Sequence, residues 1–349
     1  MVPHLGVSRR AILGSVALAA ACRAQGSGYD ELVGPLVQGH EFSGTVLVSR
    51  GTSILFEKAY GYADAEWDVP NTVDGKYRIG SISKQFTAAC ILLLAQDGKL
   101  DLDAPVSRYY AEAPASWKRI TPHHLLTHTS GIPELLGLPD FQARKALPAT
   151  LEETIARFRN LPLEFEPGAQ GRYSNSGYVL LARITELLAN RTFAQFVQER
   201  LLTPLGLANT GTDTHRSILP HRVQGYARFR EGLGRADYID MSVATGGGSL
   251  YSTAADLLRW SIALHKTRFL TPELYRRMTQ PTFHNYGYGL EIRDEDGGRI
   301  FGHGGGMEGF SAFLQYRERD GLVAVVLANL NTNVTGRLAN QLADLARRG

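Results

Sequence analysis

Cysteine is almost missing from this sequence: 349 residues hold only Cys22 and Cys90. One of the two closes a leader-like segment, where it would be lipidated or lost, so no disulfide is expected. Long apolar runs are missing as well. The longest, residues 11–21, is too short to span a bilayer, and nothing later exceeds it. Charge is sparse, at 20% of residues, and no lysine–arginine cluster occurs. Three of the 37 basic residues, Arg9, Arg10 and Arg23, precede residue 25, which leaves 34 of each sign in the remainder. A neutral chain without a basic patch gives no electrostatic case for nucleic acid or an anionic membrane surface. Repeats and low-complexity tracts are lacking too. What is present is an ordinary globular composition, 44% hydrophobic with 37 glycines, enough for one large domain or two interleaved ones.

Residues 1–24 read as an export signal. Arg9-Arg10 precedes the apolar run and small residues lead up to Cys22, a pattern that resembles a twin-arginine signal. Ala19-Ala20-Ala21-Cys22 would serve as a lipoprotein cleavage site, although leucine is usual three residues before the cysteine. Cleavage after Ala24 would instead discard Cys22 and release the protein. Either route places the mature chain outside the cytoplasm, periplasmic or held to the membrane only through a lipid at Cys22.

Residues 27–39 carry a helical pattern, and residues 45–49 and 53–60 read as strands about the turn Arg50-Gly51-Thr52. An apolar helix follows from Ser81 and ends near Asp97-Gly98, where glycine suits a helix C-terminus. From there to about residue 245 the pattern is helical and loop-rich, with helical spacing over 178–190 and 193–202. A helix from about Thr253 has Asp256 in a capping position. Strands are expected at 287–293, 299–303, 310–316 and 322–330, then a last helix with Leu338, Leu342 and Leu345 on one face. Strands at both ends and helices between them suggest a sheet domain with a helical insertion. The sheet part would comprise about 29–80 plus 246–349, and the insertion about 81–245.

Three short stretches carry candidate chemistry. In "RIGSISKQFT", Ser81 and Lys84 lie one helical turn apart. Capping accounts for a serine there but not for a lysine. The positive end of the helix dipole and burial both disfavour an ammonium, so Lys84 could titrate low enough to take the serine proton. Cys90 falls on the opposite side of that helix and reads as core. In "GRYSNSGYVLLARI", Tyr173 and Asn175 precede a helix, with Ser174, Asn175 and Ser176 as capping candidates. Tyr173 would shuttle a proton beside Lys84, whose charge would favour phenolate, and Asn175 would hold substrate and lysine. In "FGHGGGMEGF", a strand end stripped of side chains would let a substrate lie against its backbone, with the Gly306 N–H joining that of Ser81 as oxyanion donor.

Taken in order, Ser81-Ile-Ser-Lys84, Tyr173-Ser-Asn175 and His303-Gly-Gly305 resemble the S-x-x-K, Y-x-N and K-T-G or H-x-G signatures of the serine β-lactamase and penicillin-binding-protein superfamily. The resemblance is nearest to class C β-lactamases and their esterase and D-peptidase relatives. The runs "HLLTHTSGI", "GGGSLYSTAADLLRW" and "YGYGLEI" are similar to that group as well, so the likeness covers about residues 29–349. It implies an α/β (α+β) fold: an antiparallel sheet of the five-stranded type flanked by N- and C-terminal helices, an inserted all-α domain, and the active site between. It implies Ser81 as acylated nucleophile, Lys84 as its base, and Tyr173 as the group that protonates the leaving group and helps activate the deacylating water. Asn175, His303, Gly304, Gly305 and Gly306 would bind substrate. No metal or organic cofactor is implied, and the partner is a small ester, amide or D-peptide; the oligomeric state is not readable.

The third signature departs from the lactamase pattern. His303 and Gly304 stand where lysine and threonine would supply a cation and a hydroxyl for a substrate carboxylate. That favours an esterase or D-amino-acid peptidase or amidase over a β-lactamase or D-Ala-D-Ala carboxypeptidase. A binding protein that acylates without turnover, sensing β-lactams or peptidoglycan fragments, uses the same residues. An α/β-hydrolase is excluded because no G-x-S-x-G occurs and "HGGG" lies near the C-terminus. A zinc protease would need glutamate directly after His124, where Leu125 stands.

Overall fold

The strand Leu322–Ala328 is apolar at every position and buried throughout, as expected of a strand covered on both faces. It pairs antiparallel with Gly44–Arg50 (Val46 opposite Val326), so the two ends of the chain meet in one sheet. The computed structural model describes residues 28–267, 269–295 and 297–348; the export-signal reading and Cys22 lie outside them. The main sheet has six strands in the order Glu291–Glu295, Gly298–Met307, Phe310–Arg317, Leu322–Ala328, Gly44–Arg50, Ser53–Tyr60. Every neighbouring pair is antiparallel. This is the expected antiparallel sheet with a short additional strand at one edge.

Side-chain alternation separates two cores. Val46, Val48 and Val326 face outward against a first helix over residues 28–38 and the last helix, Thr335–Arg348, which contributes Leu338 and Leu342. Leu47, Val323, Val325 and Leu327 face the other way, into the large core shared with the helices Ser83–Gln96 and Ala254–Lys266. Between residues 81 and 245 helices alternate with long loops, Asn175–Ala189 being the longest helix there, and the expected all-α insertion also carries short strands. Short strands sit at its margins: Gly211–Thr212 joins Leu250–Ser252 and Tyr77–Arg78 in a small sheet, and Tyr226–Phe229 pairs with Gly232–Arg235.

Two local differences from the sequence pattern bear on the site. The helix Ser83–Gln96 is buried on all sides from Ser83 to Leu94; it is a core helix, with Ser83 and Lys84 inside and Ser81, just before it, partly buried. The strand expected from residue 287 starts at Glu291. Residues before it turn instead, because Tyr288 N–H donates to the Met278 carbonyl and Gly289, at φ 71°, packs on the Lys84 carbonyl. A Cβ on Gly289 would lie 2.6 Å from that oxygen.

Candidate active site

Ser81 sits in a single 3-10 turn, Gly80–Ile82, that leads into the α-helix Ser83–Gln96. No side chain caps either start, so capping does not account for Ser81. The turn is pressed onto the strand Gly298–Met307. Gly80 adopts φ 49°, and a Cβ there would meet the Gly306 nitrogen at 2.7 Å; a Cβ on Gly305 would meet the Ile79 carbonyl oxygen at 2.0 Å. Glycine at both positions is what lets the backbones of Ser81 and Gly306 come together. The partner strand Glu291–Glu295 pairs only as far as Gly302, so residues 303–307 form an edge filled by this turn.

Lys84 is completely buried. Its Nζ lies 3.1 Å from Ser81 Oγ, 2.7 Å from Asn175 Oδ1 and 2.8 Å from the Gly247 carbonyl oxygen. Burial pushes its pKa down to about 7, partly opposed by the carboxylate of Glu134. Near neutrality the amine is therefore available in its uncharged form. The Asn175 and Gly247 oxygens can only accept, so they take the two hydrogens of that amine and leave its lone pair for Ser81. The arrangement can withdraw a proton from the serine hydroxyl.

Two partners in that network were not singled out from the sequence. Glu134 accepts from the backbone N–H of Asn175 and, at 2.7 Å, from its Nδ2. It thus fixes which way the amide faces, so that Oδ1 meets Lys84. It also replaces the expected serine cap: Ser174 makes no side-chain capping bond, and a carboxylate at a helix N-terminus is favoured by the dipole. Gly247, the middle of a glycine triplet, offers its carbonyl to Lys84 and lies 3.1 Å (from an added Cβ) from Asn175 Oδ1. The triplet was the available signal; nothing local marked Glu134.

Tyr173 places its ring 4.8 Å from Lys84 Nζ, on the side of Ser81. The residue is 40% exposed overall, yet desolvation raises its pKa, with the nearby Ser81 hydroxyl pulling the other way. The expectation of a phenolate favoured by Lys84 therefore gives way to a protonated phenol beside an amine that is only partly charged near pH 7. His128 lies against Tyr173, the ring centroids 4.3 Å apart and the planes tilted by 40°, and accepts the Ser174 N–H at Nδ1 (3.1 Å). The helix Pro122–Leu126 ends before His128, and His124 is engaged in a capping box with Thr121. The two histidines do not share a helix face.

His303 is buried beneath the site. The Gly304 carbonyl can only accept, so His303 Nδ1 carries the hydrogen and Nε2 accepts from Tyr286 Oη at 2.8 Å. Burial and the charge of Lys84 push its pKa down to about 3. It is a neutral support for the aromatic floor. Of the four residues expected to bind substrate from this strand, Gly306 lines the cavity beside Ser81, whereas His303, Gly304 and Gly305 do not. The cavity, of about 210 Å³, is walled by Leu135, Leu136, Phe141, Val179, Ile239, Val243 and Met307, with Asn175, Gln142 and Glu308 as polar side chains besides Ser81. No cation enters its wall.

A family model described as Beta-lactamase matches residues 29–348. Penicillin-binding protein 4* of Bacillus subtilis (strain 168) is 30% identical over 299 residues, covering 79% of this chain. The match spans 65% of that relative's length, just under two thirds. Among solved structures, a penicillin-binding protein from Bacillus halodurans superposes with a TM-score of 0.79 at 26% identity, covering 90% of this chain and 98% of that one. A D-stereospecific amidohydrolase from Streptomyces sp. gives 0.75 at 26% identity, covering 86% and 93%.

Proposed function

The chain belongs to the beta-lactamase family of serine hydrolases, and from that premise we propose that it is an exported enzyme forming an acyl-enzyme on Ser81, with an ester or a D-amino-acid amide or peptide as substrate. The observation that carries the reading is Lys84, buried and aimed by Asn175 and Gly247 so that its free pair meets Ser81 Oγ at 3.1 Å. In the proposed cycle Ser81 Oγ attacks the carbonyl carbon as its proton passes to Lys84 Nζ. The backbone N–H groups of Ser81 and Gly306 receive the oxyanion. Tyr173 gives its proton to the departing group and recovers one from Lys84, so the serine proton ends on the leaving group. Water then repeats the sequence on the acyl-enzyme, delivering its hydroxide to the carbonyl and its proton back to Ser81.

The cavity wall supports the choice of substrate. It is apolar and holds no cation, and neutral His303 is beneath it, so nothing beside Ser81 favours a carboxylate attached near the scissile bond. The test is parallel turnover of a nitrophenyl ester, a D-amino-acid anilide, a D-Ala-D-Ala peptide and a chromogenic cephalosporin. Ester or anilide should lead, and fast cephalosporin turnover would overturn the substrate reading. Ser81→Ala should abolish both turnover and labelling by a fluorophosphonate; undiminished labelling would overturn the nucleophile. A stoichiometric burst that stops would mark a sensor instead of an enzyme. Export rests on the pattern of residues 1–24 and is tested by fractionating cells that carry an Arg9→Lys, Arg10→Lys double variant.

A further inference from the structure

A second cavity, of about 390 Å³, adjoins the first: Glu308 stands in the wall of both. Its chemistry is the reverse of its neighbour's. Arg78 and Arg222 approach the buried Asp213 from two sides, at 2.7 Å and 2.9 Å, so two guanidinium groups share one carboxylate. Lys76 lies alongside, its backbone bridged in parallel to that of Arg222, and it makes no ion pair among the described residues. Three cations thus face one acid. Lys145 holds both other carboxylates, Glu308 (3.1 Å) and Asp237 (3.2 Å), and neutralises one of those two charges, so the surplus falls to a single positive charge but is not cancelled. Arg235 is taken by Glu66.

The cations are held for use. Arg78 commits only its Nε to Asp213, and its guanidinium lies 5.7 Å from the centre of the Phe310 ring, which limits hydration on that side. An oxyanion entering the cavity would meet the remaining guanidinium N–H groups and the Lys76 ammonium, a set suited to charge-assisted bonds. The cavity is also within reach of the chemistry. Arg78 precedes Ser81 by three residues, no more than about 11 Å of chain, and Glu308 follows Gly306 by two. Glu308 bars a charge fixed directly to the scissile group, so the anion must sit several bonds farther out.

We propose that this cavity is a subsite for an oxyanion, a carboxylate or a phosphate, carried by the substrate at a distance from the carbonyl that Ser81 attacks. The proposal rests on the Ser81 hydrolase reading and narrows the substrate to one with an uncharged group at the scissile bond and an anionic group beyond it.

Two measurements test it separately. In the first, the Ser81→Ala protein is titrated with inorganic phosphate and with succinate at low ionic strength by calorimetry. Saturable binding of either is expected, the stronger of the two identifying the source of the anion, and Lys76→Glu in the same background should weaken it about tenfold. Failure of both to bind, or equal binding by the Lys76→Glu protein, overturns the proposal. In the second, nitrophenyl esters of one acyl chain are compared with a neutral, a carboxylate or a phosphate terminus. The ratio of kcat/KM for anionic over neutral ester should fall about tenfold in Lys76→Glu and move less in Lys76→Gln, and the wild-type ratio should shrink as salt rises. An unmoved ratio overturns the subsite. Hydrolysis of no ester by the wild type would sink the Ser81 reading alone, leaving the titration to decide the cavity.

Discussion

Lys84 in its neutral form has two hydrogens and one lone pair, and its three neighbours leave a single way to use them. The consequence is a sign that can be measured. Its pKa lies at about 7 instead of the usual 10.5, so the reactive form is gained as pH rises. Under the proposed mechanism kcat/KM for a nitrophenyl ester should climb with pH through about 7 and hold well into the alkaline range, since the pKa of Tyr173 is raised above its ordinary value. Glu134 is the charge that holds Lys84 up. Glu134→Gln should move the acid limb down by about one unit or less, together with a lower kcat from a loosened Asn175. An acid limb that stays put would reduce Glu134 to a helix cap. Tyr173→Phe separates leaving groups: an anilide, which must be protonated to depart, should lose roughly 10² to 10⁴-fold, and a nitrophenyl ester far less. Equal losses would deny Tyr173 the role of acid. At this scale local spacing paired Ser81 with Lys84, and the order of the three family-like signatures added Tyr173 and Asn175. Gly247 contacts the same amine from 163 residues away, Glu134 acts on it by charge and through Asn175, and no periodicity reports such long-range partners.

Elements carry the precision of the site through backbone contacts. The turn Gly80–Ile82 can seat on the strand Gly298–Met307 only because Gly80 and Gly305 lack Cβ atoms. At Gly305 the clash would be with backbone, the Ile79 carbonyl oxygen at 2.0 Å, so one main chain must move. Gly305→Ala should therefore cost about 10²-fold in kcat/KM, the scale of a misplacement near 1 Å, and lower the melting temperature. Gly304→Ala, whose Cβ would find the Phe313 ring at an ordinary 3.6 Å, should be much milder. Similar effects at the two positions would mean that the glycines serve the substrate and not the seating of the turn. The strands and helices themselves were largely legible, since the turn Arg50-Gly51-Thr52 before Ser53–Tyr60 and the apolar run of Leu322–Ala328 are local properties. Their ends were less so. The strand after Gly289 is shortened by packing on Lys84, and the cap of Asn175–Ala189 comes from Glu134, both long-range events.

At the scale of the whole molecule, the sheet divides the interior into two cores with different duties. The face toward Ser83–Gln96 supports the site, while the opposite face packs the first and last helices against Val46, Val48 and Val326. The leucine periodicity of the last helix announced that packing, and strands at both chain ends announced the closure of the sheet; which face would carry chemistry depended on where the inserted helices land. The division makes stability and catalysis separable. Leu342 is fully buried in the outer core, and Leu342→Ala should destabilise by roughly 2–5 kcal/mol through lost transfer energy and the cavity left behind. The melting temperature should fall by several degrees. Per correctly folded molecule, counted by fluorophosphonate titration, kcat/KM and the position of its acid limb should not change, because the sheet lies between Leu342 and Lys84. A shift of that limb in Leu342→Ala would show that the two cores are coupled through the central strands, and that Lys84 depends on packing across the whole sheet.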